Sequence, residues 1–215
     1  MEQNQLIETL VFRSNIYNAL KDFYHFGPTL DVFSQFHATI ESIQEIDHPM
    51  FNEAIQEISQ FFHSEYELEM LQVEFTTIFI GPGKLKVIPY ESGYDGSVKP
   101  TLFNEPAINA RKRYLDAGLI MEQYLSKPED HISTELEFMG YMSNTLRIAL
   151  EEGNEVDADQ LFERQKEFFE QHLHIWGDKF SNAFLDNTKN QLFQGIAKLT
   201  LAILSFDREI FELEA

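Results

Sequence analysis

Apolar residues recur every three or four positions along almost the whole chain, the pattern of amphipathic helices. Leu6, Leu10, Tyr17, Leu20 and Tyr24 share one face of an opening helix, which Gly27-Pro28 stops. The pattern predicts a second helix over 30–46, ended by Asp47-His48-Pro49, and a third over 50–62. Ser64 and Glu67 have capping-box spacing, and a fourth helix runs from them toward Phe79. Gly81-Pro82-Gly83 breaks it. Asn104 reads as an N-cap, with Pro106 in the first turn of a helix reaching about Tyr124. Ser126-Lys127-Pro128-Glu129-Asp130-His131 is a second break. Ile132, Leu136, Met139, Leu146 and Leu150 then stripe one helix, ended by Gly153-Asn154. Leu161, Phe168, Phe169, Leu173 and Trp176 stripe the next, and Leu192, Ile196, Leu199, Ile203, Phe206 and Ile210 the last.

No segment reads as a strand, and no internal repeat is visible. The expectation is an all-α fold, a single helical domain over 1–215 with about eight to ten helices. A hinge near 126–131 is expected to divide a larger N-terminal part, 1–125, from a smaller C-terminal part, 132–215. The long irregular stretch between Gly81 and Asn104 contains Pro82, Pro89 and Pro100, yet also Ile88, Tyr90, Tyr94, Leu102 and Phe103. Unstructured stretches of this length in compact domains are commonly functional, and this one is too apolar for plain disorder.

Composition narrows the classes. Hydrophobic residues make up 43% of the chain, including twenty Phe and one Trp, which is enough for a sizeable core. There is no cysteine, so disulfides, thiolate metal sites and iron–sulfur clusters held by this chain are excluded. The start of the chain lacks the basic and apolar regions of a signal peptide, and no apolar run approaches the ~18 residues needed to cross a bilayer. A cytoplasmic protein is expected. The 16 basic and 36 acidic residues give a net charge of −20, a field that repels nucleic acid and attracts basic partners.

Catalytic signatures are missing. Gly81-Pro82-Gly83-Lys84 lacks both the spacing and the Ser/Thr of a phosphate loop, and reads as a helix stop. His172 and His174, two apart on a predicted helix, point to different sides and cannot chelate one ion from that helix. No His-Glu-x-x-His pair and no Gly-x-Ser-x-Gly elbow is present. The polar cluster that stands out is Asp130-His131. Asp130 is a good N-cap for the following helix, and it is also an acidic group at a hinge, placed to meet a cation.

At this point a family resemblance appears. Pro128-Glu129-Asp130-His131, followed by Glu135-Leu136 and Phe138-Met139, resembles the signature of the TorD/DmsD family of molybdoenzyme maturation chaperones. The run Glu74-Phe75-Thr76-Thr77-Ile78-Phe79-Ile80-Gly81-Pro82-Gly83 is similar to a second motif of that family, and Pro89-Tyr90-Glu91-Ser92 to the Pro-aromatic loop after it. Gln171-His172-Leu173, Trp176 and Phe180 resemble its penultimate helix. The resemblance runs over roughly residues 60–205, in order. Lys127 stands where the family usually has Glu, Phe75 where Trp or Tyr is frequent, and Ile78 where Leu is.

The resemblance implies an all-α chaperone without chemistry or cofactor of its own. It would bind the twin-arginine leader of a molybdopterin-containing oxidoreductase, delaying export while cofactor is inserted. Some members form domain-swapped dimers, so a homodimer is compatible with it; weak GTP binding is also linked to some, but no phosphate loop here supports it. A twin-arginine leader is a basic pair followed by an apolar segment. Phe75, Phe79, Tyr90 and Tyr94 are candidates to line its groove. Glu91, Asp130 and Glu135 are candidates to meet the arginines, with Ser92, Pro128 and His131 completing the hinge. For Phe75 and Phe79, one turn apart, ordinary core packing is as good a reading. Two alternatives stay open: a chaperone for a mature or non-exported redox subunit, and a helical metal-dependent hydrolase.

Overall fold

Each helix begins and ends where local chemistry lets it. In the computed structural model, which describes residues 3–43, 48–83, 85–96, 104–120 and 128–213, α1 spans Gln3–Phe26 and α2 Leu30–Ser42. Gly27 at φ +69 turns the chain between them, and Thr29 caps α2 by accepting the Val32 N–H at 3.2 Å. Then come α3 (Pro49–Phe62), α4 (Leu68–Phe75), α5 (Glu105–Asp116), α6 (Ile132–Glu151), α7 (Glu155–Gln171), α8 (Leu173–Asn187) and α9 (Gln191–Phe211). The described residues are all-α, as expected, with one isolated bridge between Tyr90 and His131 in place of any sheet.

Four local expectations are corrected, and a fifth, the Asn104 N-cap, is met in position though not in its side-chain bond. The capping box at Ser64 does not form: the Ser64 hydroxyl donates back to the Phe61 carbonyl at 2.7 Å, and α4 starts after Glu67 without a side-chain cap. The fourth helix does not run on as α-helix but widens into a π turn over Thr76–Ile80, closed by Gly81 at φ +83. Asn104 sits at the N-cap of α5, but its side chain makes no capping bond. The described helix α5 stops at Asp116, where Gly118 at φ +76 lets the Leu119 N–H turn back to the Tyr114 carbonyl. The stripe from Leu161 to Trp176 is two helices, broken at His172 (φ −127, ψ −94), where no proline or glycine marks the break. Leu102, Phe103, Pro100, Tyr124, Ser126 and Lys127 lie outside the described residues.

The chain forms two compact units, each built from two separated segments. The first comprises Met1–Lys21 and Tyr90–Trp176; the second comprises Asp22–Pro89 and Gly177–Ala215. The described part of the expected hinge, 128–131, falls inside the first unit, so the units interleave along the sequence and do not follow one another at 126–131.

In the first unit, Leu10 packs with Leu146, Ala149 and Ala158. Tyr114, Phe138 and Phe168 form a ring cluster with centroids 4.5–5.7 Å apart. Buried Arg13 donates to Gln165 at 3.0 Å, which answers the desolvation of its guanidinium.

The second unit is held by aromatic rings. Phe23 meets Phe75 and Phe193 edge-on at 5.5 Å, and Tyr24 meets Phe180 at 5.2 Å. The buried Tyr24 hydroxyl keeps a partner in Thr200 at 2.9 Å. In the same unit α3 packs along α9, where Gly195 lets Ile58 approach so closely that an added Cβ would stand 2.6 Å from its Cγ1.

Candidate functional site

The short 3₁₀ turn Glu91–Gly93, the turn before α6, and the α7–α8 break bring an acidic cluster together inside the first unit. The bridge between Tyr90 and His131 sets the register, and the Glu91 N–H donates to the Asp130 carbonyl at 2.9 Å. This turns the Asp130 side chain toward the 3₁₀ turn, where its Oδ2 accepts the Ser92 N–H at 3.0 Å. Asp130 is therefore not the N-cap of α6. His131 takes that place, its Nδ1 accepting the Ser133 N–H at 3.1 Å. The correction has a local cause: an imidazole nitrogen one residue nearer the helix does the capping, so the carboxylate is released for a long-range bond.

Behind this turn lies a chain of buried polar groups. His172 Nδ1 is 2.7 Å from Glu91 Oε2. The Trp176 indole N–H donates to Glu135 Oε2 at 3.0 Å. Arg111 donates to Glu129 Oε1 at 2.6 Å, and the Tyr114 hydroxyl to the Glu129 carbonyl at 3.0 Å. Glu91, Glu129, Asp130 and Glu135 are exposed by only 7%, 1%, 0% and 0%. Burying a carboxylate costs unless a cation or donors answer it. Glu129 Oε2, Asp130 Oδ1 and Glu135 Oε1 have no hydrogen-bond partner, and neither has His172 Nε2.

Proton affinities follow from that crowding. Burial first, and then the neighbouring Glu91 charge, hold the Glu135 carboxyl well above the usual carboxylate range, against the pull of the Trp176 bond. Burial raises Asp130 too, opposed by its bonds from Ser92. The Tyr114 hydroxyl is pushed well up by burial and then by the charges of Glu135, Asp130, Glu91 and Glu129.

Of the expected site residues, Tyr90, Glu91, Ser92, Tyr94, Pro128, Asp130, His131 and Glu135 all belong to the first unit. Tyr90 and Tyr94 are half-buried. Tyr90 stands edge-on to His131 at 5.0 Å, and Tyr94 lies 5.5 Å from Trp176. Ser92, Pro128 and the three acidic candidates are buried. Phe75 and Phe79 belong to the second unit, each 6% exposed, packed on Phe23 and on Phe184 as core. His172, Trp176, Glu129 and Arg111 were not among the expected site residues. His172 and Trp176 stand four apart in a quoted motif, but their partners lie 81 and 41 residues away.

The family model for the nitrate reductase delta subunit matches residues 45–182, a span that holds every residue of this cluster. The chain belongs to that family. Within it, the TorD/DmsD resemblance read from the motifs is met by relatives named as TorD chaperones. The Vibrio parahaemolyticus chaperone protein TorD is 28% identical over 64% of this chain and 62% of its own length. The chain thus matches under two thirds of that relative. The Actinobacillus succinogenes chaperone protein TorD is 29% identical over 80% of each chain. A crystal structure of an Archaeoglobus fulgidus protein, provisionally described as a redox enzyme maturation protein, shares the fold with a TM-score of 0.54. It covers 91% of this chain and 93% of its own, at 21% identity. Among the described residues, no helix of this family member is long and apolar enough to cross a membrane.

Proposed function

We propose that this chain is a cytoplasmic maturation chaperone for a molybdopterin-containing oxidoreductase, and that it holds the partner's twin-arginine leader beside Tyr90, Tyr94 and the Pro128–His131 turn. The observation that carries this reading is the set of four buried carboxyl groups behind two half-buried tyrosines, one of the four, Glu129, being paired to Arg111. Charge buried in a low-dielectric interior is screened less than surface charge. Its field orients a basic pair at the surface, while tyrosine faces and apolar burial supply affinity. A micromolar complex needs roughly 8 kcal/mol, and exposed ion pairs of about 0–1 kcal/mol cannot provide it. The buried acids therefore act through orientation and encounter rate. The name of the family and of the TorD relatives support a redox-enzyme partner.

Titration with twin-arginine leader peptides, beside versions carrying two lysines, tests this reading. Saturable binding that weakens on replacement, and that disappears in the Asp130→Asn/Tyr90→Ala double variant with helical content intact, is the expected result. Unchanged binding in that variant would sink the proposed site. Binding only to leader-deleted partner would transfer the role to the mature enzyme.

A further inference from the structure

The inner part of the cluster does something that leader recognition does not require. Donor atoms of Glu91, Glu135 and His172 lie within 4.8 Å of one another, and all three side chains are buried. Glu91 and Glu135 crowd two carboxyl groups side by side, with the His172 imidazole against Glu91 and the Trp176 indole N–H on Glu135. Glu135 spends Oε2 on Trp176 and leaves Oε1 without a partner in a residue that is 0% exposed; His172 Nε2 is likewise unpartnered in a residue 2% exposed. The geometry points to a divalent metal site formed by Glu91, Glu135 and His172, suited to a first-row ion between Mn²⁺ and Zn²⁺.

The donor set fits that class. Imidazole suits zinc and its first-row neighbours, while carboxylates extend the range toward manganese. Two carboxylates neutralise a divalent cation and let His172 serve as a neutral ligand. Atoms bound tetrahedrally to one zinc at about 2.0–2.2 Å lie roughly 3.4 Å apart. The donor atoms all lie within 4.8 Å of one another, so side-chain shifts of about an ångström would bring them to zinc's tetrahedral spacing. No donor faces bulk solvent, so the ion has a structural use: it ties the 3₁₀ turn, α6 and the α7–α8 break, three segments far apart in sequence. The His172 break in the helix is what brings the imidazole to this point.

The chain's one tryptophan reports on the site directly, because its indole is bonded to a proposed ligand. Full-length protein freed of metal with chelator is titrated with Co²⁺, a paramagnetic quencher. The expected result is saturable quenching of Trp176 fluorescence at one equivalent, reversed by Zn²⁺, which does not quench, with a rising thermal midpoint in Zn²⁺. His172→Gln and Glu135→Gln should lose the one-equivalent quenching while keeping the far-UV dichroism of the parent. Absence of saturable quenching, or equal quenching in folded variants through the acidic surface, overturns the site. Should either variant fail to fold, a wild-type midpoint that Zn²⁺ does not move overturns it as well. A chain that binds Co²⁺ here but no leader keeps this site and loses the leader reading.

Discussion

Trp176 donates its indole N–H to Glu135 Oε2 at 3.0 Å, inside the first unit, where neither residue touches solvent. The bond gives a donor to a carboxyl group that burial and Glu91 make reluctant to ionise. Trp176→Phe removes that donor and leaves a void. In metal-free protein we expect a loss of about 2–4 kcal/mol in urea unfolding followed by dichroism. Glu135→Gln keeps an acceptor for the indole and removes a buried charge, so it should cost less than Trp176→Phe. The reverse order would mean that Glu135 is stabilised as a carboxylate by a partner other than Trp176.

Asp130 gives a pH dependence with a definite sign. Its folded-state pKa is raised by burial above the unfolded value of about 3.9. The folded state therefore holds its proton more tightly, and this contribution favours folding below the unfolded value and is lost as pH rises through the raised one. Asp130→Asn cannot lose a proton, and its amide can still accept from Ser92. The variant should gain stability relative to wild type as pH rises from the unfolded value of about 4 through the raised folded one, read as a widening gap in urea midpoints. A gap that is flat with pH would show that Asp130 ionises in the folded state as easily as in the unfolded one.

The Arg111–Glu129 pair is half protected: the carboxylate is 2% exposed and the arginine 25%. Arg111→Met strands a buried charge and should cost about 3 kcal/mol. Adding Glu129→Gln to that variant should restore more than half of the loss, since the stranded charge is gone. Equal stability of the single and double variants would show that Arg111 acts by packing.

Much of the helical layout was legible in the sequence because the 3.6-residue period and the Gly-Pro stops are local signals. Part of what misled was decided at long range. Nothing near His172 announces a helix break; the partner that rewards it is Glu91, 81 residues away. Asp130 and His131 are both competent caps; His131 takes the cap, and Asp130 bonds Ser92, 38 residues away. In the candidate site, Tyr90, Ser92, Asp130 and His131 could be found through turn chemistry and motif. Arg111 carries no local signal in the sequence, and Phe75 and Phe79 were ambiguous because an aromatic pair one turn apart serves a core and a groove equally well.

Those two phenylalanines and Tyr90 should separate under mutation. Phe79→Ala empties a position in the ring cluster of the second unit and should cost about 3–5 kcal/mol in chemical denaturation. Tyr90→Ala loses an edge-on contact with His131 and should cost about 1 kcal/mol. A larger cost at Tyr90 than at Phe79 would assign the tyrosine to structure.

Gly195 tests how closely α3 and α9 must approach. An alanine there gains about 0.8–1 kcal/mol of helix propensity, but its Cβ meets Ile58 Cγ1 at 2.6 Å, with the Ile58 nitrogen at 3.3 Å and the Ala54 carbonyl at 3.4 Å behind it. Overpacking of this kind costs about 1–3 kcal/mol, so Gly195→Ala should lower the thermal midpoint. A raised midpoint would show that the helices can separate at no cost.

The interleaving of the two units governs how the chain acquires its shape during synthesis. The first unit needs residues up to Trp176 and the second needs α9, so neither can close on a nascent chain that has emerged only as far as α5. Early helices must wait for partners made much later. Severing the backbone between α5 and α6 would likewise yield two fragments that each hold part of both units, and that recover structure only by finding each other.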